Sequence, residues 1–234
     1  GIAVYEEIKK TIKPSKILII CGAGNNGGDG YALASLLYEE NWDIDVLSVL
    51  RPNTYECKYY AEKYKGKLIK NEDIDITIRK ADLIVDAIFG IRLSREIPNE
   101  IQKLIRKINN LDKKCVAIDI ATGISANEGK ILGEAFEANI TITFHSKKIG
   151  HLLMPGLEKS GKVKVRDIGL PKMQDNKYTR GCLGIVMGSM MGGLMGGGNS
   201  GGDEMPSRPE MRGPPDMDSL LNQLSNNNLD NNKS

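Results

Sequence analysis

The sequence predicts a three-layer α/β/α sandwich around a mainly parallel central sheet, and three observations carry that prediction. First, apolar runs end in glycine or aspartate: residues 16–21 (KILIIC) lead into GAGNNGGDG (22–30), 82–87 (DLIVDA) close around Asp86, and 115–120 (CVAIDI) close around Asp119. Second, segments of helical length and periodicity lie between these runs, so strand and helix alternate as a doubly wound parallel sheet requires. Third, the pattern stops near residue 172. Beyond it, residues 181–234 hold 11 of the 26 glycines and 7 of the 9 methionines.

Taken in order, residues 1–10 read as a helix already under way, which leads us to expect a longer natural N-terminus. Residues 16–21 have the unbroken apolar character of a strand buried on both faces. The glycine-rich segment 22–30 then reads as a tight loop, and residues 31–40 place Ala32, Leu33, Leu36 and Leu37 at helical spacing. A strand at 45–50 completes a βαβ unit. Helices follow at 54–64 and 99–109. The strands 138–144 (ANITITF) and 162–167 (KVKVRD) belong near the sheet edge, where alternating polar residues are tolerated.

These elements make a Rossmann-like domain of residues 1–172. Residues 173–234 form a low-complexity tail that buries too little apolar surface to offset chain entropy, so disorder is expected there. One stretch of it, 216–224, sets Met217, Leu220, Leu221 and Leu224 on a single helical face. Nine residues do not hold a helix alone in water, and a chance apolar cluster is the plainer reading.

A net charge of +2 from 32 basic and 30 acidic residues supplies no general attraction for nucleic acid or an anionic membrane. Cys21, Cys57, Cys115 and Cys182 form no C-x-x-C pair, and Cys21 and Cys115 fall inside apolar runs, as buried reduced thiols do. No stretch has the apolar length of a membrane helix, and no signal-peptide pattern is visible. A cytoplasmic protein is expected. His145 and His151 lie six apart with no zinc-like partner spacing, and Asn139-Ile140-Thr141 fits a glycosylation pattern but sits in an expected strand.

Ligands of open α/β sheets bind where the carboxyl ends of strands meet loops and helix N-termini. Three segments converge there: 22–30, whose glycines and N–H groups suit a phosphate; Asp86; and Asp119, followed by Ala121-Thr122-Gly123. Segment 22–30 is no Walker A loop, because no Gly-Lys-Ser/Thr follows. Each aspartate taken alone reads equally well as a turn or helix cap.

In order along the chain, GNNGGDG, VDAIFG, DIATG and TFHSKKIGHLLMPG resemble the signatures of the YjeF N-terminal domain, the NAD(P)H-hydrate epimerase family, over residues 1–172. The resemblance implies an isomerase of nicotinamide nucleotide repair that interconverts the R and S forms of hydrated NADH or NADPH. It implies substrate contacts from Asn25, Asn26, Gly27, Gly28 and Asp29, and from a covering loop of Gly90, Ile91, Arg92, Leu93, Ser94, Arg95 and Glu96. Asp119 would touch substrate and act in catalysis with Lys148. Asn26, Asp86 and Thr122 would hold a potassium ion, Thr122 standing where many members have Ser. Without the motif around it, Lys148 would read as a solvated lysine beside Lys147.

Two departures bear on these assignments. Arg92 replaces a glycine of the family's FGTGLSR, which stiffens the covering loop, and Ala121 replaces a common proline. The resemblance is also compatible with a homodimer and implies a separate NAD(P)H-hydrate dehydratase as pathway partner. A competing reading is a non-catalytic module, since relatives serve as scaffolds in mRNA decapping and fold does not dictate function. An ordinary NAD-linked dehydrogenase fits less well: the acid that would hold a ribose after the second strand is absent, and Arg51-Pro52 stand there instead.

Overall fold

The computed structural model describes residues 1–168 apart from Pro14. The domain boundary near 172, the tail, its 216–224 segment and Cys182 lie outside the described residues.

Helix α1 (Ile2–Thr11) precedes β1 (Ile17–Cys21), α2 (Asn25–Glu39), β2 (Ile44–Ser48), α3 (Tyr55–Lys63), β3 (Lys67–Leu68), α4 (Ile74–Lys80) and β4 (Leu83–Ala87). There follow α5 (Asn99–Asn109), β5 (Lys114–Ile118), β6 (Ile140–Phe144), α6 (Gly156–Lys159) and β7 (Lys162–Arg166). The seven strands form one sheet in the order β3-β2-β1-β4-β5-β6-β7, with every pair parallel. The strand order reverses between β1 and β4, the crevice where ligands of such sheets bind.

Alternate residues of the central strands feed two separate cores, because strand side chains point to opposite faces. Ile17, Ile19 and Cys21 of β1 join Leu33, Leu36 and Leu37 of α2 and Val4 and Ile8 of α1 on one face. Leu18 and Ile20 join Ile78 of α4 and Ile101, Ile105 and Ile108 of α5 on the other. Each layer thereby buries its apolar stripe, and the carboxyl ends of all strands emerge at one end of the sheet. The first helix is tied to the last strand by Glu7, a buried carboxylate paired with Lys164 and Arg166 of β7.

Several boundaries differ from expectation. Segment 22–30 is not a loop throughout: α2 begins at Asn25, six residues before the expected start. Glycines weaken helices by about 1 kcal/mol each relative to alanine, but here they allow close packing. A Cβ on Gly27 would lie 2.1 Å from the Gly22 carbonyl oxygen. The expected strand at 45–50 ends at Ser48, and that at 115–120 ends at Ile118, so Asp119 lies just past β5. β6 and β7 do lie near an edge as expected, β7 being the edge strand and β6 its inner neighbour. The short β3, α4 and α6 were not expected; each carries too few residues for a legible period. Among the described residues no helix is long and apolar enough to cross a membrane.

The connection from β5 to β6 turns at Gly123, whose φ is +94°, and a Cβ there would lie 1.8 Å from the Glu134 carbonyl oxygen. Gly123→Ala therefore combines a disfavoured backbone conformation with a main-chain clash. We expect a loss of about 3 kcal/mol or more, or roughly 6–12 °C in Tm, in thermal denaturation followed by circular dichroism. A Tm within 2 °C of the parent's, about the size of a sub-kcal/mol effect, would contradict this packing.

Candidate active site

At the strand ends, Asp86 has no access to solvent. A buried carboxylate needs several hydrogen bonds, and Asp86 accepts three. Thr122 donates its backbone N–H to Oδ2 at 2.7 Å and its hydroxyl to Oδ1 at 2.7 Å, while the Ile88 N–H reaches Oδ1 at 3.1 Å. Burial pushes the Asp86 carboxyl up to about 6, against the pull of these donors. Thr122 Oγ1 in turn accepts the Phe89 N–H at 3.0 Å, and the Phe89 carbonyl accepts from the Asn26 amide at 3.1 Å. The knot thus joins α2 to the segments after β4 and β5. Because Asn26 donates an amide N–H to the Phe89 carbonyl, its Oδ1 remains an acceptor at the start of α2.

Next to the knot, the backbone at Asp119 turns sharply. Its φ is +68°, and the Ile120 N–H bonds to the Ile118 carbonyl at 2.9 Å, which makes a γ-turn of the strained, positive-φ kind. β6 ends the same way: His145 has φ +66°, and Ser146 N–H bonds to the Phe144 carbonyl at 2.7 Å. Such conformations cost on the order of 1–3 kcal/mol each and concentrate at functional sites.

The two turns aim one acid and one base at each other. Lys148 Nζ lies 3.0 Å from Asp119 Oδ1, and their side chains are only 10% and 13% exposed. The same ammonium donates to Thr143 Oγ1 at 2.9 Å, the Phe144 carbonyl at 2.9 Å and the Ser146 carbonyl at 3.2 Å. Thr143 also donates to Asp119 Oδ1 at 3.2 Å. Oδ1 is therefore the anchored oxygen. Oδ2 faces Gly90, where an added Cβ would sit 3.3 Å from it and 3.5 Å from Asn26 Cβ.

Behind Lys148 lies His151, 1% exposed. Its Nδ1 accepts the Lys148 backbone N–H at 3.0 Å, and its own N–H donates to the Lys148 carbonyl at 3.0 Å. Burial, followed by the charge of Lys148, pushes the imidazole down to about 4.

The structure thus brings Asn26, Asp86, Gly90, Asp119, Thr122 and Lys148 together at the crevice. Gly27 and Gly28 are buried in the first turns of α2, Asn25 is exposed, and Asp29 is half-buried and paired with the amino group of Gly1. Ile91, Arg92, Ser94, Arg95 and Glu96 are exposed and Leu93 is half-buried, so the expected covering loop lies open at the rim. Sequence reasoning assigns no site role to Thr143 or the Phe89 carbonyl, and it weighs His151 only as half of a metal pair with His145. Thr143 lies one residue beyond the apolar centre of β6, and a backbone oxygen leaves no trace in sequence.

A family model of the YjeF-related protein N-terminus matches residues 1–150. The chain belongs to that family. Among its YjeF-type relatives, one from Leuconostoc citreum named NAD(P)H-hydrate epimerase is 38% identical over 168 residues, covering 70% of this chain and 74% of the relative. Another of that name from Leuconostoc gelidum is 40% identical over 166 residues, covering 70% and 74%. A bifunctional NAD(P)H-hydrate repair enzyme from Dictyoglomus turgidum is 38% identical over 171 residues, 68% of this chain but 32% of that longer protein. The crystal structure of yeast YNL200c superposes with a TM-score of 0.61 at 19% identity, covering 74% of this chain and 78% of the yeast chain. That likeness bears on the fold alone.

The Asp86 knot gives a direct stability prediction. Thr122→Val removes one donor to a buried carboxylate and the acceptor of the Phe89 N–H, and should cost about 2–4 kcal/mol in urea denaturation at neutral pH. Thr122→Ser keeps both bonds and should stay within about 1 kcal/mol of the parent. Equal losses in the two variants would mean that the methyl group, not the hydroxyl, matters at this position.

Proposed function

We propose that this chain interconverts the R and S forms of hydrated NADH or NADPH, an isomerase step of nicotinamide nucleotide repair. The observation that carries the reading is the near-buried Asp119–Lys148 pair at 3.0 Å, set at the strand ends of a chain whose relatives are named for this activity. The first turn of α2 adds backbone N–H groups without intrahelical partners, which suit a pyrophosphate. Asn25 to Asp29 would line that phosphate path, and residues 90–96 would lie over the substrate.

The hydrated ring carries a hydroxyl on the carbon beside the ring nitrogen. Inversion there requires the C–O bond to break, with the nitrogen lone pair moving in to form a ring cation, and water to add to the opposite face. One proton leaves with the departing hydroxyl as water, and one is removed from the water that returns, so the reaction balances. Asp119 Oδ2 is the oxygen turned to the cleft; it would give and take that proton, and as a carboxylate it would stabilise the cation. Lys148, with its N–H groups on oxygen acceptors, would hold Oδ1 in place and leave Oδ2 turned to the substrate.

Asn26, Asp86 and Thr122 would hold a potassium ion. Their donor set fits: an amide oxygen freed by the bond from Asn26 to Phe89, a hydroxyl and a single carboxylate. When bound, the ion would supply a positive charge that organises the loops around the phosphates. A reducing, cytoplasmic setting suits the buried free thiols Cys21, Cys57 and Cys115. A dehydratase consuming one epimer would act alongside, as joined repair activities in the longer relatives suggest.

The decisive assay supplies the R hydrate and follows its loss of chirality. Asp119→Asn should lower the rate by about 10²-fold or more with the fold intact, and Lys148→Met should reduce kcat more than it raises KM. Full activity in Asp119→Asn would remove the assigned role, and an inactive parent would remove the function itself.

The ion makes a separate expectation. Ligand affinity or Tm should be higher in potassium than in tetramethylammonium at equal ionic strength, and Asp86→Ala should lose the difference. Identical behaviour in the two salts, or an unaltered difference in Asp86→Ala, would exclude the ion site.

A further inference from the structure

His151 contacts the main chain of both members of the Asp119–Lys148 pair, yet it is too deeply buried to meet a substrate. On one side, Nδ1 accepts the Lys148 N–H at 3.0 Å while the His151 N–H returns a bond to the Lys148 carbonyl at 3.0 Å. That reciprocal pair fixes the single turn 149–151 and the origin of the Lys148 side chain. An Nδ1 that accepts must carry no proton, so the neutral ring bears its hydrogen on Nε2. On the other side, Nε2 has no partner in good hydrogen-bonding geometry, and the group it faces is the backbone carbonyl of Asp119.

Buried polar atoms are rarely left in this state without a reason. The turn cannot drift away to relieve it, because Gly150 N–H is bonded to the Ala126 carbonyl at 2.7 Å and an added Cβ on Gly150 would sit 2.4 Å from the Ser125 carbonyl oxygen. The imidazole is therefore a spacer of fixed width between two main-chain segments. One carries the carboxylate and the other the ammonium.

We infer that His151, as a neutral imidazole protonated on Nε2, is a positioning residue that holds the Lys148 turn in register with Asp119, so that their ion pair forms only while Nδ1 is free to accept. The inference rests on the reading of Asp119 and Lys148 as the reacting pair. A proton on Nδ1 would set two N–H groups against each other across the Lys148 contact. It would also place a cation beside the ammonium groups of Lys148 and Lys147 and in competition for Asp119, the charged groups that face the ring. Burial and those lysines keep the ring neutral down to about pH 4. Above that range the spacer is intact.

The test uses the full chain, which contains only two histidines, His145 and His151, so long-range ¹H–¹⁵N spectra separate them readily. At pH 7 His151 should show a bare Nδ1 and a protonated Nε2, and the Lys148 amide resonance should move as pH falls through about 4 in the parent but not in His151→Gln. His151→Leu removes the acceptor and should lower kcat about 10–100-fold with KM within about twofold, since displacement rather than binding is affected. His151→Gln, whose amide oxygen can accept from Lys148, should recover most of that loss. The opposite tautomer, or a parent-like kcat in a folded His151→Leu, would overturn the inference. Were His151→Leu not to fold, the tautomer and the Lys148 amide titration decide the question alone. An inactive parent with the expected tautomer and titration would refute the epimerase reading while leaving the spacer role standing.

Discussion

A carboxylate sealed from water has to be satisfied by the protein, and in this fold that requirement falls on Asp86. Its three donors come from the segments after β4 and β5, and one of them, the Thr122 hydroxyl, also receives Phe89 and through it Asn26 at the start of α2. The strand order reverses between β1 and β4. A doubly wound sheet leaves a crevice there because crossovers depart to opposite faces. The Asp86 network spans that crevice at its base, which is why Gly90, Asn26 and Asp119 lie close enough to act on one ligand.

Above the knot the backbone does unusual work. β5 and β6 each end in a positive-φ γ-turn on a non-glycine residue, Asp119 and His145. One turn of this kind is a local cost of order 1–3 kcal/mol. Two at the ends of neighbouring strands cut both strands short, so that the Asp119 side chain and the loop carrying Lys148 meet over Thr143. The hydrogen bonds of Lys148 to Phe144 and Ser146, the flanking residues of the second turn, tie the ammonium to that same distortion.

Much of this was legible in the sequence. β1, β4 and β5 are buried on both faces, and a continuous apolar run announces such a strand; the positions of Asp86 and Asp119 at the ends of two of them pointed to the crevice. The start of α2 was not legible, because five glycines in nine residues look like a loop unless one knows that Gly27 packs against the Gly22 carbonyl. β3, two residues long, carries no period at all. At the site, the side chains announced by motif were found near one another, whereas Thr143 and His151 were passed over. A threonine in an alternating strand and a histidine in an apolar segment have ordinary explanations, and only their burial against Lys148 sets them apart.

The network at Asp86 has a mechanical consequence. Segments from both sides of the reversal point are latched to one another at the base of the cleft by the Asn26–Phe89 bond, and β1 and β4 are themselves paired along their length, so the two halves of the sheet cannot swing apart as jaws without breaking both. Admission of a large ligand therefore falls to the rim, where residues 91, 92 and 94–96 stand open to solvent, and the floor beneath it keeps its shape whether or not anything is bound.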